Sequence, residues 1–126
     1  MKNFSASLVC AAILFFALSQ SVSAQAVKEA LLAENGFNAD WTCSSDTGRA
    51  ETGRSEVTFK AEGSKVIVNV NNFARGSCKS DVAVGESGAS WNACRGTPIQ
   101  MTYDANDKSV PFKGTGGRCT YQFKLK

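Results

Sequence analysis

The residues best suited to ligand recognition in this sequence are its arginines, because each of them lies next to a glycine. A guanidinium group beside exposed backbone N–H donors is well suited to bind carboxylate, phosphate or sulfate. Arg75 shares the pattern, and the predicted ligand-binding arginines are Arg49, Arg54, Arg95 and Arg118. If Arg49, Arg54 and Arg118 meet at one end of the fold, they form an anion site. The alternative is that Gly and Arg are both common in surface turns.

Two of these arginines come from the segment DTGRAETGRS at residues 46–55, where an acidic residue, Thr, Gly and Arg occur twice in succession. The segment separates an alternating run that ends near Cys43 from another that begins near Glu56. We therefore expect it to connect the first β-hairpin, with each glycine allowing a reversal. At about ten residues it would be longer than most hairpin loops, and such long loops often carry function.

A second candidate for recognition is Trp91, which has Asn92 beside it and Arg95 four residues further on. Trp91 lies in a Gly- and Ser-rich segment without clean alternation, so we expect it in a loop. A loop tryptophan with amide and guanidinium neighbours can stack on a sugar or fill a pocket of a partner protein. The alternative is that Trp91 closes one end of the hydrophobic core next to Cys94.

The sequence offers no catalytic constellation. It contains no histidine, and four cysteines paired in disulfides would leave no thiol nucleophile. Two carboxylates are sufficient for glycoside hydrolysis, but no pair among the 11 acidic residues stands out. We therefore predict a protein that is not an enzyme, with no catalytic residue and no cofactor. A carboxylate-based hydrolase is the alternative.

Residues 1–24 have the organisation of a secretory signal peptide. Lys2 precedes an apolar run at residues 8–18, and Val22 and Ala24 present small side chains to a signal peptidase. The run is too short to span a bilayer, which takes about 20 apolar residues. We expect cleavage after Ala24, export to the periplasm or the extracellular space, and no stable membrane anchor. A buried N-terminal helix is the alternative.

Cleavage would remove Cys10 and leave four cysteines, an even number that indicates two disulfides in a small secreted chain. Zinc is disfavoured, because no two cysteines have C-x₂₋₄-C spacing and histidine is absent. Of the three possible pairings we favour Cys43–Cys119 and Cys78–Cys94. The first would join the ends of the first and last strands inside the core, and the second would close a middle segment with few apolar residues.

The fold prediction depends on a change of period at Gly36. Residues 25–35 contain good helix formers, and Gly36 stands where a helix would end. From residue 37 onward apolar and polar residues alternate, most clearly in the last run from Cys119 to Leu125. Strict alternation indicates half-buried antiparallel strands. We predict a short helix or mobile arm at 25–36 and one all-β domain at 37–126, a small antiparallel barrel or sandwich of about seven strands with two disulfides.

One short string resembles a known family. Residues 87–91, Ser-Gly-Ala-Ser-Trp, are similar to the Ser-Gly-x-x-Tyr loop of periplasmic C-type lysozyme inhibitors, with Trp in place of Tyr. The resemblance implies a small disulfide-bearing β-barrel that inhibits an extracellular hydrolase. It covers five residues, and no inhibitory residue is transferred to this sequence. The net charge of +3 does not favour attraction to a basic lysozyme.

Composition separates the remaining partner classes. The sequence has 14 basic and 11 acidic residues with both signs interspersed, unlike the concentrated basic face of a nucleic-acid-binding protein. We therefore predict an exported binding module that recognises an acidic small molecule, a saccharide or a partner protein through its Gly/Arg loops. The alternatives are an inhibitor of an extracellular hydrolase and a small barrel that binds an apolar ligand.

Overall fold

The computed structural model describes residues 23–72 and 76–126, and the predicted signal peptide lies almost wholly outside this part of the chain. A short helix, α1, spans residues 23–31. Eight strands follow in chain order: β1 (Phe37–Ser44), β2 (Ala50–Glu62), β3 (Lys65–Asn72), β4 (Gly76–Val84), β5 (Gly88–Asn92), β6 (Pro98–Tyr103), β7 (Phe112–Gly116) and β8 (Cys119–Leu125). Each strand pairs antiparallel with its sequence neighbours, and β8 pairs with β1. The sheet therefore closes into a barrel.

The predicted all-β architecture with one N-terminal helix is confirmed, and the barrel is the correct alternative to the sandwich. The predicted number of strands was too low by one. The strand missed is β5, whose inward residues include Ala89 as well as Trp91, so it lacks a run of large apolar side chains. The small side chain of Ala89 concealed the period of two.

The first hairpin is also shorter at its tip than predicted. Strand β2 is 13 residues long and begins at Ala50, so the second Thr-Gly-Arg belongs to the strand rather than to a loop. Only residues 45–49 connect β1 to β2, and Gly48 has a φ of 78° in this turn. The two glycines of the repeat therefore have different roles, since Gly48 makes the turn and Gly53 lies inside the barrel.

The hydrophobic core fills the half of the barrel that contains the start of β1. Phe37 makes edge-to-face contacts with Phe59 and Phe112, with ring centroids 5.9 Å apart in both pairs. Helix α1 covers this end, and its Val27 and Leu31 are fully buried against the core. These two residues are four positions apart and share one helix face, which accounts for the docking of a helix with so few apolar residues.

Antiparallel up-and-down connectivity places alternate connections at the same end of the barrel. The connections at 63–64, 85–87 and 104–111 lie at the end covered by α1, which we call the closed end. Those at 45–49, 93–97 and 117–118 lie at the opposite, open end. The closed-end turn at 104–109 is stabilised by its own carboxylates, since Asp107 accepts hydrogen bonds from the backbone of Ser109 and Val110.

Both predicted disulfides are present. Cys43 and Cys119 are direct partners in the β1–β8 ladder, with Cα atoms 4.0 Å apart. The Cys78–Cys94 bridge holds β4 beside the β5–β6 connection at the open end. The β4–β5 ladder has only two residue pairs, Ala83–Ser90 and Val84–Ala89, and they lie toward the closed end. Disulfides are typical of oxidising compartments outside the cytosol. Within the described residues, no helix is long and apolar enough to cross a membrane.

On the outer wall, Asp40 forms ion pairs with Arg54 at 2.6 Å and with Lys124 at 2.8 Å. The hydrogen bonds from Arg54 and then Lys124 lower the pKa of the Asp40 carboxyl from 3.8 to about 2. Because the folded-state pKa lies below the unfolded value, these ion pairs stabilise the fold at a pH above about 4. Their contribution is lost as the pH falls toward 2.

We expect Asp40→Asn to lower the free energy of unfolding by about 0.5–1 kcal/mol at neutral pH, because the paired side chains are partly exposed. The native protein and the variant should converge in stability near pH 2. Urea unfolding at a series of pH values measures the difference. Asp81→Asn is the control, since Asp81 pairs with Lys65 at 3.9 Å between two exposed side chains. A stability difference for Asp40→Asn that does not change with pH would contradict the expectation.

Candidate functional site

The open half of the barrel contains a cavity of about 440 Å³. It exists because several inward positions of the wall carry small residues, so the side chains do not fill the interior at this end. These positions are Ala39, Ser55 and Ala93. Pockets of a few hundred Å³ with apolar walls and a few polar groups are typical of small-molecule sites. The size and position of the cavity make it the candidate binding site.

Two aromatic residues form one side of the cavity wall. Trp41 is the ladder partner of Gly53 on one side and of Tyr121 on the other. A Cβ atom at position 53 would overlap the indole of Trp41, so only glycine leaves room for this ring against the strand. Burial raises the pKa of Tyr121, and its phenol can donate a hydrogen bond. The cavity therefore has flat aromatic surfaces suited to a ring or an apolar body.

The mouth of the cavity is lined by charged residues of both signs. Arg95 comes from the β5–β6 connection, Arg118 from the β7–β8 connection and Glu51 from the start of β2. The guanidinium of Arg118 forms an ion pair with Asp46. Within the described part of the chain Arg95 has no such partner. Arg95 is thus the cation best placed to meet an anionic ligand.

The predicted ligand-binding arginines separate into three groups. Arg95 and Arg118 line the cavity mouth, and Arg49 is exposed in the β1–β2 turn at the same end. Arg54 lies on the outer wall of β2, where its guanidinium donates a hydrogen bond to Asp40. The predicted meeting of Arg49, Arg54 and Arg118 therefore lacks Arg54, because Arg54 is one residue out of phase with the inward face. Arg75 lies outside the described residues.

The expectation of an exposed loop tryptophan at position 91 was wrong. Trp91 belongs to β5 and points into the barrel, with 7% of its surface exposed. Its indole N–H donates to the sulfur of Met101 at 3.0 Å, and its ring packs edge-on against Phe59. The alternative role in the core is correct, and the indole also reaches the cavity wall. Asn92 is the next residue and is exposed on the outside of the barrel.

The string that resembles the lysozyme-inhibitor loop does not project from the fold. Gly88 to Trp91 lie within β5, and Ser87 joins the same hairpin through its carbonyl, which accepts from the backbone of Tyr103. A Cβ at Gly88 would overlap the backbone of Met101, so the glycine serves close strand packing. The residues behind that resemblance therefore have a structural role in this barrel.

Three further residues line the cavity that were not among the predicted site residues: Glu51, Trp41 and Tyr121. Trp41 and Tyr121 share the inward phase of their strands, but the barrel is hollow at their level, so both side chains are only partly buried. The signal for Glu51 was the alternation of β2 itself. Counting back in twos from Phe59 passes through Ser55 and Gly53 to Glu51, and each of these positions faces inward.

The arrangement is suited to binding: an apolar body can contact the aromatic wall while a charged group meets the residues at the mouth. Its recognition groups come from strands and turns fixed by both disulfides, since Cys43, Cys94 and Cys119 also line the cavity. Comparison with known proteins adds no relative to this description, because no family model, curated protein or solved structure matches the chain.

Proposed function

We propose that this chain is an exported, non-catalytic binding protein that holds a small organic acid in the open-end cavity. The apolar body of the ligand lies against Trp41 and Tyr121, and its acidic group meets Arg95. The observation that carries the proposal is the half-filled barrel with a cationic side chain at its mouth. Export is supported by the two disulfides and by the signal-like organisation of residues 1–24.

A small molecule is favoured over the other partner classes by the shape of the site. A saccharide or a protein partner was expected to use an exposed Trp91, and that residue is buried. The cavity is concave and lies inside the barrel, which suits a ligand that enters end-on. A charge-assisted hydrogen bond from a guanidinium to a carboxylate is among the stronger single contacts available to such a ligand.

The test uses indole-3-propionate, which combines a flat apolar body with one carboxylate. We expect Arg95→Ala to weaken its binding about tenfold, the effect of losing roughly 1.4 kcal/mol from a charge-assisted hydrogen bond. Isothermal titration calorimetry gives the dissociation constants. Arg54→Ala is the matched control, because Arg54 lies on the outer wall and pairs with Asp40. Its binding constant should equal that of the native protein.

Two results would count against the proposal. Equal losses for Arg95→Ala and Arg54→Ala would show that the mouth is not the acid-binding site. A neutral analogue, 3-propylindole, separates the acid from its apolar body. If 3-propylindole binds as tightly as the acid, the apolar-ligand alternative replaces the proposal.

A further inference from the structure

Glu51 places a carboxylate at the mouth of the same cavity. It is the ladder partner of Cys43, one layer nearer the open end than the Trp41–Gly53 pair. Its phase on β2 is inward, and it lines the cavity together with Arg95 and Arg118. A site built for an acid alone gains nothing from an inward carboxylate, because like charges repel. Binding of an acid group therefore does not account for the inward carboxylate of Glu51.

Glu51 also differs from the other acidic residues near it. Asp46 pairs with Arg118, Asp40 pairs with Arg54, and Glu56 on the same strand pairs with Lys126 at 2.9 Å. Among the residues that the structure describes, Glu51 takes part in no ion pair and no side-chain hydrogen bond. Among the described residues that line the cavity, Glu51 is thus an anion and Arg95 a cation without an ion pair.

The surroundings of Glu51 suit a positively charged amine. Immediately below it the wall presents Trp41, with Tyr121 beside that ring. An ammonium group over an aromatic face is stabilised by the ring quadrupole, and an adjacent carboxylate adds a charge-assisted hydrogen bond. Strand β2 and the β5–β6 connection lie on opposite sides of the eight-stranded barrel. A ligand between Glu51 and Arg95 therefore meets opposite charges on its two sides.

We infer that the ligand is a zwitterion, with an amine bound by Glu51 over Trp41, a carboxylate bound by Arg95 and an aromatic or apolar body in the cavity. This inference rests on the proposed function and narrows its ligand class from organic acids to amino-acid-like molecules. It assigns Glu51 a direct role in binding.

Three probes with the same ring separate the charges: tryptophan has both groups, indole-3-propionate has only the acid and tryptamine has only the amine. We expect the native protein to bind tryptophan about tenfold more tightly than indole-3-propionate, the effect of roughly 1.4 kcal/mol from the amine contact. Glu51→Gln should abolish this preference and weaken tryptamine binding, while leaving indole-3-propionate unchanged or slightly tighter. Calorimetric titration of the full oxidised protein measures all three.

Glu56→Gln is the matched control, because Glu56 lies on the same strand but faces outward and pairs with Lys126. It should keep the native preference for tryptophan. Equal binding of tryptophan and indole-3-propionate by the native protein would overturn the inference, as would a preference that survives Glu51→Gln. If indole-3-propionate binding depends on Arg95 while the amine adds nothing, only the inference fails. If none of the three probes binds at millimolar concentration, the proposed function and the inference both fail.

Discussion

Leu31→Ala in α1 should lower the free energy of unfolding by about 2–5 kcal/mol, the range for deleting a fully buried leucine side chain. Leu31 has no exposed surface and belongs to the core cluster with Val27. A helix of this length is not stable alone in water, so its order depends on docking against the barrel. The substitution therefore removes core packing and weakens the cover of the closed end together. Urea unfolding followed by circular dichroism measures the loss.

Leu125→Ala is the matched control for this measurement. Leu125 is the last residue of β8 and 44% exposed, so its truncation should cost less than about 1 kcal/mol. Comparable losses for the two variants would mean that α1 is not docked as a part of the core. A large loss for Leu31→Ala alone places the helix within the cooperative fold.

Much of the barrel could be predicted from the period of two, because a wall with one wet face imposes that period on every strand. The phase of Cys43 and Cys119 with their apolar neighbours was sufficient to favour their pairing, and the two residues are indeed cross-strand partners. Strand β5 escaped notice since its inward Ala89 gives a weak signal. Closure of the barrel could not be predicted either, because it depends on how far the whole sheet twists and coils.

The site was only partly predictable, because its residues surround one cavity only when the sheet closes into a barrel. Arg95 and Arg118 are 23 positions apart in sequence. Up-and-down connectivity places their two connections at the same end, and closure of the sheet arranges these connections around one mouth. Proximity to glycine could not distinguish Arg54 from them, because that pattern says nothing about phase. Phase was the better indicator. Arg54 follows the inward Gly53 by one residue and therefore points outward. Glu51 precedes Gly53 by two residues and therefore points inward.

Removing the Cys43–Cys119 disulfide by Cys43→Ala and Cys119→Ala should cost about 4.5 kcal/mol, and removing Cys78–Cys94 in the same way about 3 kcal/mol. The order follows from loop size, because the residues of the first bridge are separated by 76 positions and those of the second by 16. A bridge that closes a longer loop removes more conformational freedom from the unfolded chain. Urea unfolding of both double variants measures the difference, with the slope fitted separately for each since an unbridged chain exposes more surface.

The Cys43–Cys119 bridge also joins β1 to β8, so it stabilises the strand pairing that closes the sheet into a barrel. At the other end of that seam, the backbone N–H of Lys126 donates to the carbonyl of Gly36. Loss of the Cys43–Cys119 bridge therefore weakens the pairing of β1 with β8 at the mouth of the cavity. Binding of indole-3-propionate should then weaken even where the variant remains folded. Equal destabilisation by the two double variants would contradict the loop-size argument. Unchanged ligand binding without the first bridge would mean that the closed seam at the mouth does not shape the site.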